Sequence, residues 1–101
     1  GYVSILNKLR ALGFGSIICR GVLYEAYAGG PMSNAVADAI NADIQAAVTT
    51  NNTANADTKA KYLNTNSWVP ITRGADGIHI TPAGYIEESD FAAAAYPSLL
   101  A

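Results

Sequence analysis

Apolar side chains in the first dozen residues fall at helical spacing. Val3, Ile5, Leu6, Leu9 and Leu12 recur along a stretch in which Asn7, Lys8 and Arg10 occupy the other side. An amphipathic helix is predicted from Tyr2 to Leu12, with Gly13 as its stop. The pattern then shortens. Ser16-Ile17-Ile18-Cys19-Arg20-Gly21-Val22-Leu23 is a brief run, β-branched near its start and preceded by Gly15, which predicts a buried central parallel strand. From Tyr24 to Pro31 the chain carries Gly29-Gly30-Pro31, which ends regular structure and makes a loop at the strand's carboxyl end, where open α/β sheets often place their sites.

Helical periodicity returns with Val36, Ile40, Ile44 and Val48 beside Ala39 and Ala47, after Ser33 or Asn34 as the capping residue. Asp38 and Asp43 suit the early part of that helix. The Asn- and Thr-rich stretch from Thr49 to Asp57 has no apolar anchor and predicts an exposed loop, in which Asn51-Asn52-Thr53 is a glycosylation acceptor only in a eukaryotic secretory setting. A helical turn is expected from Lys59 to Leu63, then an edge strand or extended segment at Trp68-Val69-Pro70-Ile71, since Pro70 cannot donate to a central ladder. Thr81-Pro82 opens a last helix as cap and first residue, and Pro97 is expected to stop it. Helices alternating with extended segments predict a layered α/β arrangement with right-handed crossovers.

Composition narrows the function classes. The chain has 101 residues, enough for one small domain but short for an enzyme that needs both faces of a parallel sheet covered. Half of the residues are hydrophobic and 14% are charged, so the chain folds and its surface relies on Asn, Thr and Ser. A net charge of −2 with scattered basic residues gives no footprint for nucleic acid or anionic membrane. No apolar run is long enough to span a bilayer. Cys19 has no cysteine to pair with and sits in the strand run as a small hydrophobe. One histidine and one cysteine make no recognisable metal set, so neither metal nor cofactor is expected. A start at Gly1 suits a processed chain, a trimmed one or a proteolytic product, and the lysine-poor surface leans toward an extracellular or secreted setting.

Candidate chemistry concentrates in Asp76-Gly77-Ile78-His79. A carboxylate that accepts the Nδ1 proton of an imidazole fixes its tautomer and makes it a general base toward a hydroxyl. Gly77 permits the turn that brings the two together, and the helix behind Thr81 anchors the loop. On these four residues alone, a satisfied loop histidine capping the helix at Thr81 is the better account. The longer string Asp76-Gly77-Ile78-His79-Ile80-Thr81-Pro82-Ala83-Gly84-Tyr85 resembles the C-terminal signature of the SGNH hydrolases, the GDSL esterase and lipase family. The resemblance implies a Ser-His-Asp triad in which Asp76 orients and His79 is the base. It implies a fold as well: the C-terminal part of a three-layer αβα, flavodoxin-like sheet, with residues 1–101 as a single partial domain completed by an N-terminal half or a second chain.

That family's Gly-Asp-Ser nucleophile motif and its Gly-x-Asn-Asp string do not occur here. Ser16 precedes a strand run with no aspartate beside it, and Asn34 reads as a helix cap, so neither stands in for them. The expected function is therefore the Asp/His-bearing part of a serine carboxylic-ester hydrolase, inactive alone, whose Ser, Gly and Asn come from the partner segment and whose substrate is an ester, an acylated carbohydrate among the candidates. The competing expectation is a non-catalytic binding or assembly module of an extracellular or viral surface protein with a vestigial loop. Glu25, Glu87, Glu88 and Asp90 are expected to be solvated rather than a glycosidic pair. Trp68, Tyr24, Tyr27 and Tyr85 are read as packing more readily than as a sugar-stacking wall. Gly13 and Gly15 precede a strand, where a phosphate loop would follow one.

Overall fold

Helix α1 spans Tyr2–Ala11, strand β1 Ile17–Arg20, helix α2 Asn34–Asn55, strand β2 Ala60–Leu63 and helix α3 Pro82–Leu100. This computed structural model describes residues 1–24 and 34–100. It is a small mixed α/β arrangement, and its described strands form one two-stranded parallel sheet in which Ile17 pairs with Ala60 and Arg20 with Leu63. The chain divides into two compact units. One holds Gly1–Val22 and Asp38–Asn64, the other Leu23–Ala37 and Thr65–Ala101.

In the first unit α1 ends where expected: Leu12 is its cap and Gly13 takes φ +90°, with its N–H on the Arg10 carbonyl. Leu6 is buried with Ile17, Val48 and Ala60, and Leu9, Cys19 and Tyr62 pack against them. The apolar stripe of α1 is wider than this core. Ile5 is exposed, and Leu12 is 75% exposed. Strand β1 also departs from full burial, since only Ile17 is buried while Ile18 and Cys19 are half-buried and Arg20 is exposed. Desolvation of Cys19 pushes its thiol pKa up, which keeps it protonated and poorly nucleophilic.

Two sequence expectations fail on the far side of α2. The stretch from Thr49 to Asp57 is not an exposed loop, because α2 continues to Asn55. Asn41, Ile44, Val48 and Asn51 lie on one face at helical spacing and are all buried. The buried asparagines are paired: the Asn41 amide accepts from the Val22 N–H at 2.6 Å and donates to the Val22 carbonyl at 3.1 Å. Eleven residues on, about three helical turns, Asn52 does the same to Ala60, accepting at 3.0 Å and donating at 2.8 Å. One helix thus aligns the chain just after β1 and at the start of β2. For the same reason Lys59 to Leu63 is not a helical turn: Ala-Lys-Tyr-Leu has little strand propensity, and pairing with β1 and Asn52 makes it β2.

Arg10 completes this corner. Its guanidinium donates to both Asp57 oxygens at 2.7 and 2.8 Å, to Asn51 at 2.6 Å and to Asn52 at 3.0 Å. Those bonds, with the Lys59 N–H, push the Asp57 carboxyl down to about 2 from 3.8. The folded chain therefore holds this proton less tightly than the unfolded one. The resulting stabilisation is complete above pH 3.8 and is lost as pH falls through about 2. Thermal unfolding between pH 7 and pH 2 is expected to show an acid limb that Asp57→Asn reduces. A limb unchanged by that substitution contradicts the assignment.

In the second unit, Trp68 and Ile71 are buried, and Trp68 stacks on Phe91 of α3 with ring centroids 5.7 Å apart and planes at 13°. The Trp68–Ile71 segment joins no ladder among the described residues: the Trp68 and Val69 N–H groups turn back to the Thr65 and Ser67 carbonyls, and Val69 is exposed between the two buried residues. Thr81 caps α3 as the sequence predicts, its Oγ1 accepting the Gly84 N–H at 3.1 Å. Pro97 does not stop α3, which runs to Leu100. The ring takes away the N–H that would bond to the Ala93 carbonyl, and the last turn of α3 follows it. Asn34 is the first residue of α2 rather than its cap; Ser33, together with Glu25, Tyr27 and the remainder of the predicted loop to Pro31, lies outside the described residues.

Candidate functional site

Asp76 and His79 sit in a short hairpin closed at its base. Arg73 and Ile80 form an isolated antiparallel bridge, and the Gly74 N–H donates to the His79 carbonyl at 2.8 Å. The Gly77 N–H returns to the Gly74 carbonyl at 2.9 Å, and Gly77 takes φ +70°, a conformation open to glycine and strained for most other residues.

The Asp76 carboxylate divides its work between its two oxygens. Oδ1 accepts the Ile78 N–H at 2.9 Å and the His79 N–H at 3.1 Å, so the backbone alone orients the group. Oδ2 then meets His79 Nδ1 in a short contact. The imidazole bond first, and the two backbone N–H groups after it, hold the Asp76 carboxyl well below the usual carboxylate range. An ionised Asp76 assigns the proton between them to Nδ1, so that Nε2 is the lone-pair nitrogen whenever the ring is neutral. The His79 side chain is 84% exposed and that of Asp76 45%, and Nε2 has no hydrogen-bond partner among the described residues.

Helix α3 carries the loop. Thr72 is bonded on both sides: its N–H donates to Glu87 at 3.0 Å, while its carbonyl accepts the Thr81 N–H at 3.1 Å and the Thr81 hydroxyl at 3.2 Å. Gly84 is buried against the same carbonyl. A Cβ there would lie 2.2 Å from the Thr72 oxygen. Glu87 is consequently a structural acceptor and not the freely solvated carboxylate that the sequence suggested. Trp68 is core, and Tyr85 is exposed on α3.

The structure therefore brings together the two residues that the sequence singled out. It adds Thr72 and Glu87, bonded to each other across 15 positions, and Arg73, bonded to two carbonyls, and it gives Gly84 of the ten-residue string a packing role. Among the described residues no set of three or more His, Cys, Asp or Glu side chains is arranged to hold a metal ion, and no helix is long and apolar enough to cross a membrane. Compared with family models, curated proteins and solved structures, the chain matches none.

Proposed function

We propose that this chain contributes the general-base half of an SGNH-type serine carboxylic-ester hydrolase, with Asp76 as orienting acid and His79 as base. The observation that carries the reading is the contact from the Asp76 carboxylate to Nδ1, which leaves Nε2 open to a hydroxyl. In attack, Nε2 takes the serine proton as the oxygen bonds to the ester carbonyl carbon. The imidazolium so formed is stabilised by Asp76 and returns the proton to the departing alkoxide. Water then repeats the sequence on the acyl-serine.

The serine and the oxyanion donors belong in this reading to a further segment or second chain; together with the present residues it makes up the assembled protein. Two features support that division. Among the described residues β1 and β2 make a two-stranded parallel sheet, which a wider parallel sheet of the three-layer αβα kind would extend. An exposed imidazole-carboxylate pair is also weak in water and gains strength only when its surroundings are dry.

A fluorophosphonate, which bonds to activated serines, is expected to label the assembled protein outside residues 1–101 and to label His79→Ala far more slowly. Absence of any labelled hydroxyl in the assembled protein contradicts the esterase reading and leaves the loop as a structural element of a binding or assembly module.

A further inference from the structure

We infer that Arg73 is a positioning residue for this pair: its guanidinium fixes the peptide plane between Ile78 and His79, and through that plane the Asp76 carboxylate and the tautomer of His79. The inference rests on the reading of Asp76 and His79 as a general-base pair.

Arg73 Nη1 donates to the Ile78 carbonyl at 2.7 Å. The N–H of that same peptide group belongs to His79 and donates to Asp76 Oδ1 at 3.1 Å. A trans peptide is planar with its C=O and N–H pointing in opposite directions, so anchoring the oxygen sets the direction of the hydrogen. The other arm of the fork, Nη2, donates at 3.1 Å to the Tyr24 carbonyl, 49 positions away in sequence. Nε is buried without a partner among the described residues, so the two terminal nitrogens alone hold the group.

Closing the hairpin does not require this contact. The Arg73–Ile80 bridge and the Gly74 N–H to His79 carbonyl bond already close it. What the guanidinium adds is orientation of one peptide, supplied by a charged donor whose hydrogen bonds are roughly twice as strong as neutral ones. Two divergent carbonyls also suit a planar fork better than the point charge of a lysine.

His79 is the only histidine of the chain, so imidazole ¹⁵N spectra of the 101-residue protein report it without ambiguity. With the ring neutral, the wild type is expected to favour the Nδ1–H tautomer. Arg73→Met, which keeps the apolar stem, is expected to shift the tautomer ratio toward Nε2–H by about fivefold, and Arg73→Lys to recover part of that shift. Asp76→Asn serves as the reference that removes the acceptor. If Asp76→Asn shifts the ratio and Arg73→Met does not, the role of Arg73 is overturned while the pair stands. If neither shifts it, the pair itself is overturned, and the role of Arg73 with it. Should Arg73→Met fail to fold, Arg73→Lys carries the test: an intermediate ratio supports the role, and a wild-type ratio overturns it.

Discussion

Asp76→Asn is expected to lower ester hydrolysis by the assembled protein about 10⁴-fold while leaving the fold of this chain in place. The amide is isosteric with the carboxylate, and its oxygen can keep the Ile78 and His79 N–H groups now held by Oδ1. Its nitrogen then faces His79 Nδ1 as a donor. The ring must answer as an acceptor there, which moves its own proton to Nε2 and removes the lone pair needed for the serine proton. The loss belongs in kcat, because no contact with substrate is altered. Steady-state rates on a short-chain aryl acetate, beside circular dichroism of the variant, check both halves of the expectation. A folded variant that loses less than about tenfold contradicts the orienting role.

Gly84→Ala is expected to have the largest effect on stability. Two terms oppose one another. Alanine is favoured over glycine by at most about 1 kcal/mol in this first turn of α3, but the new methyl would stand 2.2 Å from the Thr72 carbonyl oxygen, a backbone atom already bonded to Thr81. Overpacking of this kind costs typically 1–3 kcal/mol, and an approach this close to backbone belongs at the upper end. A net destabilisation of roughly 2 kcal/mol is therefore expected, with α3 displaced from Thr72 and the Asp76–His79 loop disturbed along with it. Denaturant unfolding measures the first effect, and the imidazole spectrum of His79 the second. A variant more stable than the wild type means that helix propensity has won and that the close approach is not real.

Legibility in the sequence followed the range of the forces involved. Helix α1 and the start of α3 were readable because their determinants are local: a 3.6-residue apolar spacing, Gly13 at a left-handed position, and Thr81-Pro82 as cap and first turn. The second half of α2 was not. Asn51 and Asn52 read as loop residues by composition, yet Asn51 is 1% exposed, bonded to Arg10 and Asn7, and Asn52 pairs with the backbone of β2. Those partners lie eight to forty-four positions away, and no local window contains most of them. Strand β2 was missed for the same cause, since parallel pairing with β1 decides its conformation.

The site divides along the same line. Asp76 and His79 are picked out by the ten-residue string that resembles a family signature, and the Asp-Gly turn makes their contact possible. Arg73 donates to two carbonyl oxygens and Gly84 makes room for a third, and carbonyl oxygens are groups that every residue possesses. Only coordinates identify the Ile78 and Thr72 carbonyls as the ones that matter.

In the proposed function His79, held by Asp76, is the base of a serine esterase completed outside this chain. The most direct measurement is the rate of aryl acetate hydrolysis by the assembled protein with wild-type His79 and with His79→Ala. A fall of at least about 10⁴-fold in kcat, with assembly unimpaired, is the predicted result. An unchanged rate would contradict the account.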